Sequence, residues 1–224
     1  MHYRVNSVEN LLVILNHFDK YPLITQKCAD LQLFKQVVML IRNKEQLTME
    51  GLQKILAIKA SINHGLSDEL KVAFKDITPV QRPKILDSKI KDPNWLAGFA
   101  GFFFFFCFKS TTNHEQKKTK KLGEGCFFVS IVNSSTTKLG KTIQLIFQIT
   151  QHNKDELLLR NFTEFFNSGN VFKNGHSYVF KVTKFSVLDE KIVPLFKDCP
   201  ILGTKSKDFH DWLQVFFFVL FNEK

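Results

Sequence analysis

The sequence predicts an α+β protein. One unit follows the order helix, hairpin, helix, hairpin, helix, with an antiparallel sheet, and the helical remnant of a first such unit precedes it. Three observations lead there. Segments 128–133 and 142–150 alternate with the period of two that marks a half-buried strand, and 171–173 with 178–183 flank an Asn-Gly turn as a second hairpin. Elsewhere apolar residues recur every three or four positions, as on one face of a helix. The end of the second half is also repeated in the first. Phe18, Pro22, Leu23, Lys27, Asp30, Phe34 and Val37 recur as Phe196, Pro200, Ile201, Lys205, Asp208, Trp212 and Val215, at a constant offset of 178 residues. A repeat of this kind implies two copies of one structural unit.

The elements follow in order. Tyr3-Arg4-Val5 reads as the end of a strand. Ser7 is the expected N-cap of a helix whose apolar face is Val8, Leu11, Leu12, Leu15 and Phe18, and which Pro22 ends. Leu31, Phe34, Val37, Val38 and Ile41 mark the buried stripe of a second helix. A third, capped at Thr48, carries Gly51, Leu52, Ile55, Ile58 and Ile62. Gly65, Pro79 and Pro83 among scattered charges suggest a surface linker. The units are therefore expected at 1–63 and 92–224, joined by a linker over 64–91. In the second unit, residues 134–141 are the polar connection of the first hairpin, and Asn174-Gly175 is the turn dipeptide of the second. Leu157, Leu158, Phe162, Phe165 and Phe166 form a helix stopped by Gly169. Leu188, Ile192, Leu195 and Phe196 form another, ended by Pro200. A last helix carries Phe209, Trp212, Leu213 and Val215 and is expected to dissolve into the apolar run 216–221.

Composition narrows the partners. Among 224 residues, 31 Lys and Arg against 21 Asp and Glu leave a net charge of +10. That excess favours a polyanion, either nucleic acid or an anionic membrane surface. The apolar run 99–108 falls short of the roughly 20 residues a bilayer span needs, so no membrane segment is expected. The N-terminus has neither a signal-peptide core nor a transit-peptide pattern. Cys28, Cys107, Cys126 and Cys199 are scattered without zinc-like spacing and read as reduced thiols. No HExxH pairing, nucleotide-binding glycine loop or GxSxG elbow is present.

The chain centres on Leu96-Ala97-Gly98-Phe99, a helix with a small-residue face, and on Gly123-Glu124-Gly125 just before an alternating strand. Together these pieces resemble the motif of the LAGLIDADG homing endonucleases, Leu-Ala-Gly-Phe-x-Asp-Gly-Glu-Gly. Residues 100–122 stand where that motif has two residues, so an insertion is placed at about 100–122. It is rich in phenylalanine at 102–108 and holds five lysines over 109–121. Leu122 stands where the motif has Asp. The resemblance covers most of the chain outside that insertion and the last ten or so residues.

The resemblance implies a site-specific double-strand DNA endonuclease encoded in an organellar intron, with Mg2+ as cofactor. The mitochondrion, as in fungi, is the expected compartment, with the chloroplast second. Glu124 would be the metal ligand. Lys27, Lys205 and Gln151 would belong to the polar network at the scissile phosphates, while Leu96, Ala97, Gly98 and Phe99 pack the motif helix. A second motif helix could come from a homodimer if the first unit is bypassed. The sheet would lie in the DNA major groove, where base edges carry distinct donors and acceptors. Its outward residues are expected to be Phe128, Ser130, Val132 and Ser134, with Gln144, Ile146 and Gln148 on the neighbouring strand. The second hairpin would add Phe172, Asn174, Ser177, Val179, Lys181 and Thr183. Lys138, Lys141 and Lys173 would contact phosphates, which position a protein without reading sequence. Two other readings stay open: a nucleic-acid-binding maturase that helps its host intron RNA fold, and a degenerate copy without activity. The broken motif predicts weak cleavage or none.

Overall fold

The structure is a computed structural model that describes residues 4–85, 88–102, 107–109, 125–203 and 205–222. The chain forms two compact units, Met1–Ser88 and Lys89–Lys224.

The first unit holds helices α1 (Val8–Lys20), α2 (Lys27–Arg42), α3 (Met49–Ser61) and α4 (Asp68–Ala73). The expected caps form. Ser7 Oγ accepts the Asn10 N–H at 3.2 Å, and Thr48 Oγ1 accepts the Gly51 N–H at 3.0 Å. Each satisfies a donor that the first helical turn cannot pair internally. The stripe expected on α2 needs correction. Ala29, Leu33 and Val38 are its buried positions, and Phe34 is 39% exposed. On α3, Leu56 is buried together with Gly51 and Ile58. Nor is the expected linker featureless. It carries α4 and is tied back to the first unit. Ser61 Oγ donates to the Val80 carbonyl at 2.6 Å, the Val80 N–H donates to Ala57 O at 3.2 Å, and Arg82 reaches α2 and α3.

The repeat reappears in the element boundaries. Helix α1 ends at Lys20 and α2 begins at Lys27, and 178 residues on, α8 ends at Asp198 and α9 begins at Lys205. The matched positions differ in one telling respect. Trp212 is fully buried and its Nε1 donates to the Phe128 carbonyl of the sheet at 3.2 Å. Phe34, its counterpart, is 39% exposed, and the described residues of the first unit include no strand.

The second unit runs α5 (Pro93–Phe102), β1 (Cys107–Lys109), β2 (Gly125–Asn133), β3 (Lys141–His152), α6 (Glu156–Phe166), β4 (Asn170–Asn174), β5 (Ser177–Val182), α7 (Phe185–Val187), α8 (Val193–Asp198) and α9 (Lys205–Asn222). The sheet order is β1-β2-β3-β5-β4. The two hairpins supply four antiparallel strands. The short β1, from the inserted stretch, adds a fifth strand parallel to β2. One sheet face carries Phe127, Phe147, Ile149, Phe180 and Val182 into the helices. Phe127 alone has the rings of Phe147, Phe196, Phe209 and Trp212 within 5.4 Å. Helix α5 joins this core through Leu96, Ala97 and Ala100, all buried.

Three expectations shift. The second hairpin turn lies one residue later, because Asn174 pairs with Ser177 and leaves Gly175 and His176 as the loop. Gly175 has φ +60° while His176 keeps a negative φ, so glycine sits at the first loop position, as a type II′ turn requires. Helix α6 ends on Asn167 in the left-handed conformation, ahead of Gly169. Asparagine tolerates that geometry through its short polar side chain. Helix α9 does not dissolve. It continues to Asn222 because Phe209, Trp212, Phe216 and Val219 keep helical spacing on its buried side, while Phe218 and Phe221 face outward. Between α7 and α8 the chain makes one π-helical segment, Leu188–Ile192. It falls just before Pro194, whose missing N–H breaks the regular ladder.

Candidate nucleic-acid interface

Strand pairing decides which side chains share a face, because residues directly opposite one another point the same way. Phe128 lies opposite Ile146, Ser130 opposite Gln144, and Val132 opposite Thr142. Gln148 lies opposite Lys181, which in turn faces Asn170. Val179 faces Phe172, and Ser177 faces Asn174. The sequence-derived set Phe128, Ser130, Val132, Gln144, Ile146, Gln148, Phe172, Asn174, Ser177, Val179 and Lys181 therefore occupies the sheet face away from the helices. Ser134 and Thr183 follow the ends of β2 and β5.

Accessibility divides that set. Gln144, Gln148, Lys181, Val132, Ser134 and Ser177 are half-buried, and Phe172, Asn174 and Thr183 are exposed. Phe128, Ser130, Ile146 and Val179 are buried. Phe128 and Ile146 pack on each other as a small cluster of their own. The lysines are placed differently. Lys138 is exposed on the first hairpin's connection. Lys141 pairs with Asn133 and Lys173 with Tyr178, on the alternate positions of their strands. All three are exposed.

Gln151 closes β3 opposite Tyr178. Its side chain is 9% exposed, and its Nε2 is buried with no hydrogen-bond partner among the described residues. An unpaired buried amide costs about 1–3 kcal/mol; Gln46 Oε1 in the first unit is a second such atom. Beside it, Glu156 accepts from Arg160 at 2.9 and 2.6 Å. The Arg160 and Tyr178 hydrogen bonds hold its carboxyl below the usual glutamate range.

Glu124 lies outside the described residues, although it directly precedes β2, whose Gly125 pairs with Ile149 two residues from Gln151. Lys205 is the first residue of α9. On α5, Leu96 and Ala97 are buried, Phe99 stacks on Trp95 at 4.7 Å, and Gly98 is exposed with open space where a Cβ would stand. Among the described residues no group of three His, Cys, Asp or Glu side chains gathers as a metal site. Nor is any helix among them long and apolar enough to cross a membrane.

In the first unit Lys27 opens α2. Its Nζ donates to Asn63 Oδ1 at 3.0 Å and lies 3.6 Å from Asp30. Asp30, 15% exposed, accepts from Arg82 Nη1 at 2.5 Å. Burial alone would raise the Asp30 pKa. The Arg82 hydrogen bond, the Asn63 N–H and the charges of Arg82 and Lys27 outweigh it and hold the carboxyl below the usual aspartate value. Sequence reasoning marked Lys27 and Asp30 through the repeat but missed Asn63 and Arg82. The Asn63-His64-Gly65 stretch after a helix was the one signal, a helix C-terminus that favours left-handed backbone. Nothing local marked Arg82.

Comparison with known proteins gives a consistent picture. The family described as LAGLIDADG endonuclease matches residues 1–38 and 123–216. A Neurospora crassa protein described as probable intron-encoded endonuclease 3 is 38% identical over 218 residues, covering 96% of this chain and 37% of its own length. An uncharacterized 50.9 kDa protein in ND4 intron 1 of Podospora anserina is 56% identical over 48 residues, 21% of this chain and 11% of that protein. The structure of I-SmaMI bound to uncleaved DNA target in the presence of calcium ions superposes with a TM-score of 0.84 at 38% identity, over 99% of this chain and 69% of that one. I-SmaMI is also known bound to cleaved DNA. The chain spans less than half the length of the Neurospora crassa relatives it matches.

Proposed function

This chain belongs to the LAGLIDADG endonuclease family, and we propose that it acts as a site-specific, magnesium-dependent DNA endonuclease encoded in a mitochondrial intron, with cleavage weakened by residues 100–122. One observation carries the reading: a single sheet face presents Gln144, Gln148 and Lys181 side by side, with exposed lysines at the margins. Glutamine and lysine are suited to base edges, glutamine pairing two-pronged with adenine and lysine donating to guanine acceptors. Lys138, Lys141 and Lys173 would bind phosphates and set the register on the duplex.

The residues fit a divalent cation in part. Glu124 supplies a hard carboxylate oxygen of the kind magnesium takes, one or two at a time. The free Gln151 donor is the complement of a phosphate or water oxygen. A bound metal would stabilise charge on the phosphate and lower the pKa of the attacking water. Around it, Gln151 Nε2 would donate to an oxygen of the scissile group and hold it in line. Lys27 and Lys205 would each offset negative charge developing on a phosphate.

A second reading is favoured by the separation of Phe99 from Gly123 in the motif. The chain would then bind nucleic acid, including its host intron RNA, without cutting. Binding assays separate the two. On the endonuclease reading, Gln148→Ala with Lys181→Ala weakens binding to a duplex spanning the intron insertion site by about 1–3 kcal/mol per lost base contact, while binding to unrelated duplex is nearly unchanged. Equal loss on both duplexes, with intron RNA bound more tightly than either, favours the second reading.

A further inference from the structure

We propose that Asn63 is a positioning residue for Lys27. The inference rests on the endonuclease reading and extends it. Lys27 stands at the first residue of α2, where the helix macrodipole is positive and a cation is disfavoured. Asp30, one turn on, is shared: Arg82 Nη1 takes its Oδ1, and its Oδ2 stays 3.6 Å from Lys27 Nζ. The direct hydrogen bond comes from Asn63, whose Oδ1 accepts from Lys27 Nζ at 3.0 Å.

Asn63 can do this because of its backbone. At φ +51° it is left-handed, a conformation that asparagine adopts more readily than other side-chain-bearing residues. In that pose its own N–H is directed at Asp30 Oδ1, 3.4 Å away, while its side-chain carbonyl reaches Lys27. Lys27, Asn63 and Asp30 thus close a ring, moored by Arg82 to the Gln26 carbonyl at 2.9 Å and the Ser61 carbonyl at 3.2 Å. The Lys27 side chain remains 69% exposed, so the ammonium is steadied from one side and open to an anion on the other. A long lysine side chain is otherwise free to swing, and a misplacement of about 1 Å can cost a hundredfold in rate.

The test uses two substitutions that keep the left-handed backbone accessible. Asn63→Gly removes the carbonyl and tolerates positive φ, and Asn63→Asp restores an oxygen acceptor. We expect the Asn63→Gly chain to melt at the wild-type temperature and to bind target duplex in calcium with wild-type affinity. It should nick that duplex in magnesium about tenfold more slowly at saturating enzyme, with Asn63→Asp returning the rate towards wild type. In parallel, lysines carrying 13C-methyl groups are followed by NMR, the Lys27 signal being assigned from Lys27→Arg. That signal should move in Asn63→Gly. An unmoved Lys27 signal, or an unchanged nicking rate, overturns the proposal. If the wild-type chain does not nick at all, the endonuclease reading fails separately, and the Lys27 signal alone decides whether Asn63 positions the lysine.

Discussion

Replacing Trp212 with alanine is expected to cost the second unit about 3–5 kcal/mol, the range for emptying a buried aromatic site. The indole is fully buried. It packs on Phe127 at 4.6 Å and Phe216 at 5.5 Å, and it donates from α9 to the Phe128 carbonyl of β2. Truncation therefore opens a cavity between helix and sheet and removes the hydrogen bond from Trp212 Nε1 to the Phe128 carbonyl that joins them. Against a typical domain stability of about 5–15 kcal/mol, the loss is large. Urea denaturation followed by circular dichroism measures it. The repeat provides an internal control. Phe34→Ala, at the equivalent position, empties a site that is already 39% exposed and should cost about 1 kcal/mol or less. Equal losses at the two positions would contradict the account of the core.

Glu124→Gln is expected to lower whatever nicking rate the chain shows in magnesium by about a hundred- to a thousandfold, with duplex binding in calcium retained. The substitution keeps shape and removes the charge that would hold the cation. Chelation of the metal should have the same effect as the mutation. A single-turnover assay on a duplex spanning the intron insertion site reads both. If Glu124→Gln nicks at the wild-type rate, the carboxylate holds no catalytic metal and the nuclease site lies elsewhere.

Much of the fold was legible because local signals agreed with one another. Ser7 and Thr48 cap the helices that follow them, strand alternation gave the two hairpins, and the 178-residue offset appears in the starts of α2 and α9. What failed depended on partners far away in sequence. Phe34 and Trp212 hold matching positions of the repeat, yet Trp212 is buried against a sheet and Phe34 is exposed. Helix α9 runs through the phenylalanine stretch because its buried side continues to pack, which composition alone does not reveal. The sheet faces were legible because alternation fixes parity once a strand is identified. Burial within a face was not, and Phe128, Ser130, Ile146 and Val179 were expected in the groove but lie buried. The Asn63–Asp30–Arg82 network joins residues up to 52 positions apart, and only folding brings them together.

Two chains compared on one duplex show whether residues 100–122 weaken cleavage. The first is the unaltered chain. In the second, Ala100 is kept and residues 101–122 are replaced by a single aspartate, which restores the uninterrupted Leu-Ala-Gly-Phe-x-Asp-Gly-Glu-Gly order. Nicking of the intronless target is followed in magnesium under single-turnover conditions. The repaired chain is expected to nick at least about tenfold faster, since the carboxylate then follows directly on its helix and positioning errors of this kind are costly. Equal nicking by the two chains would contradict it.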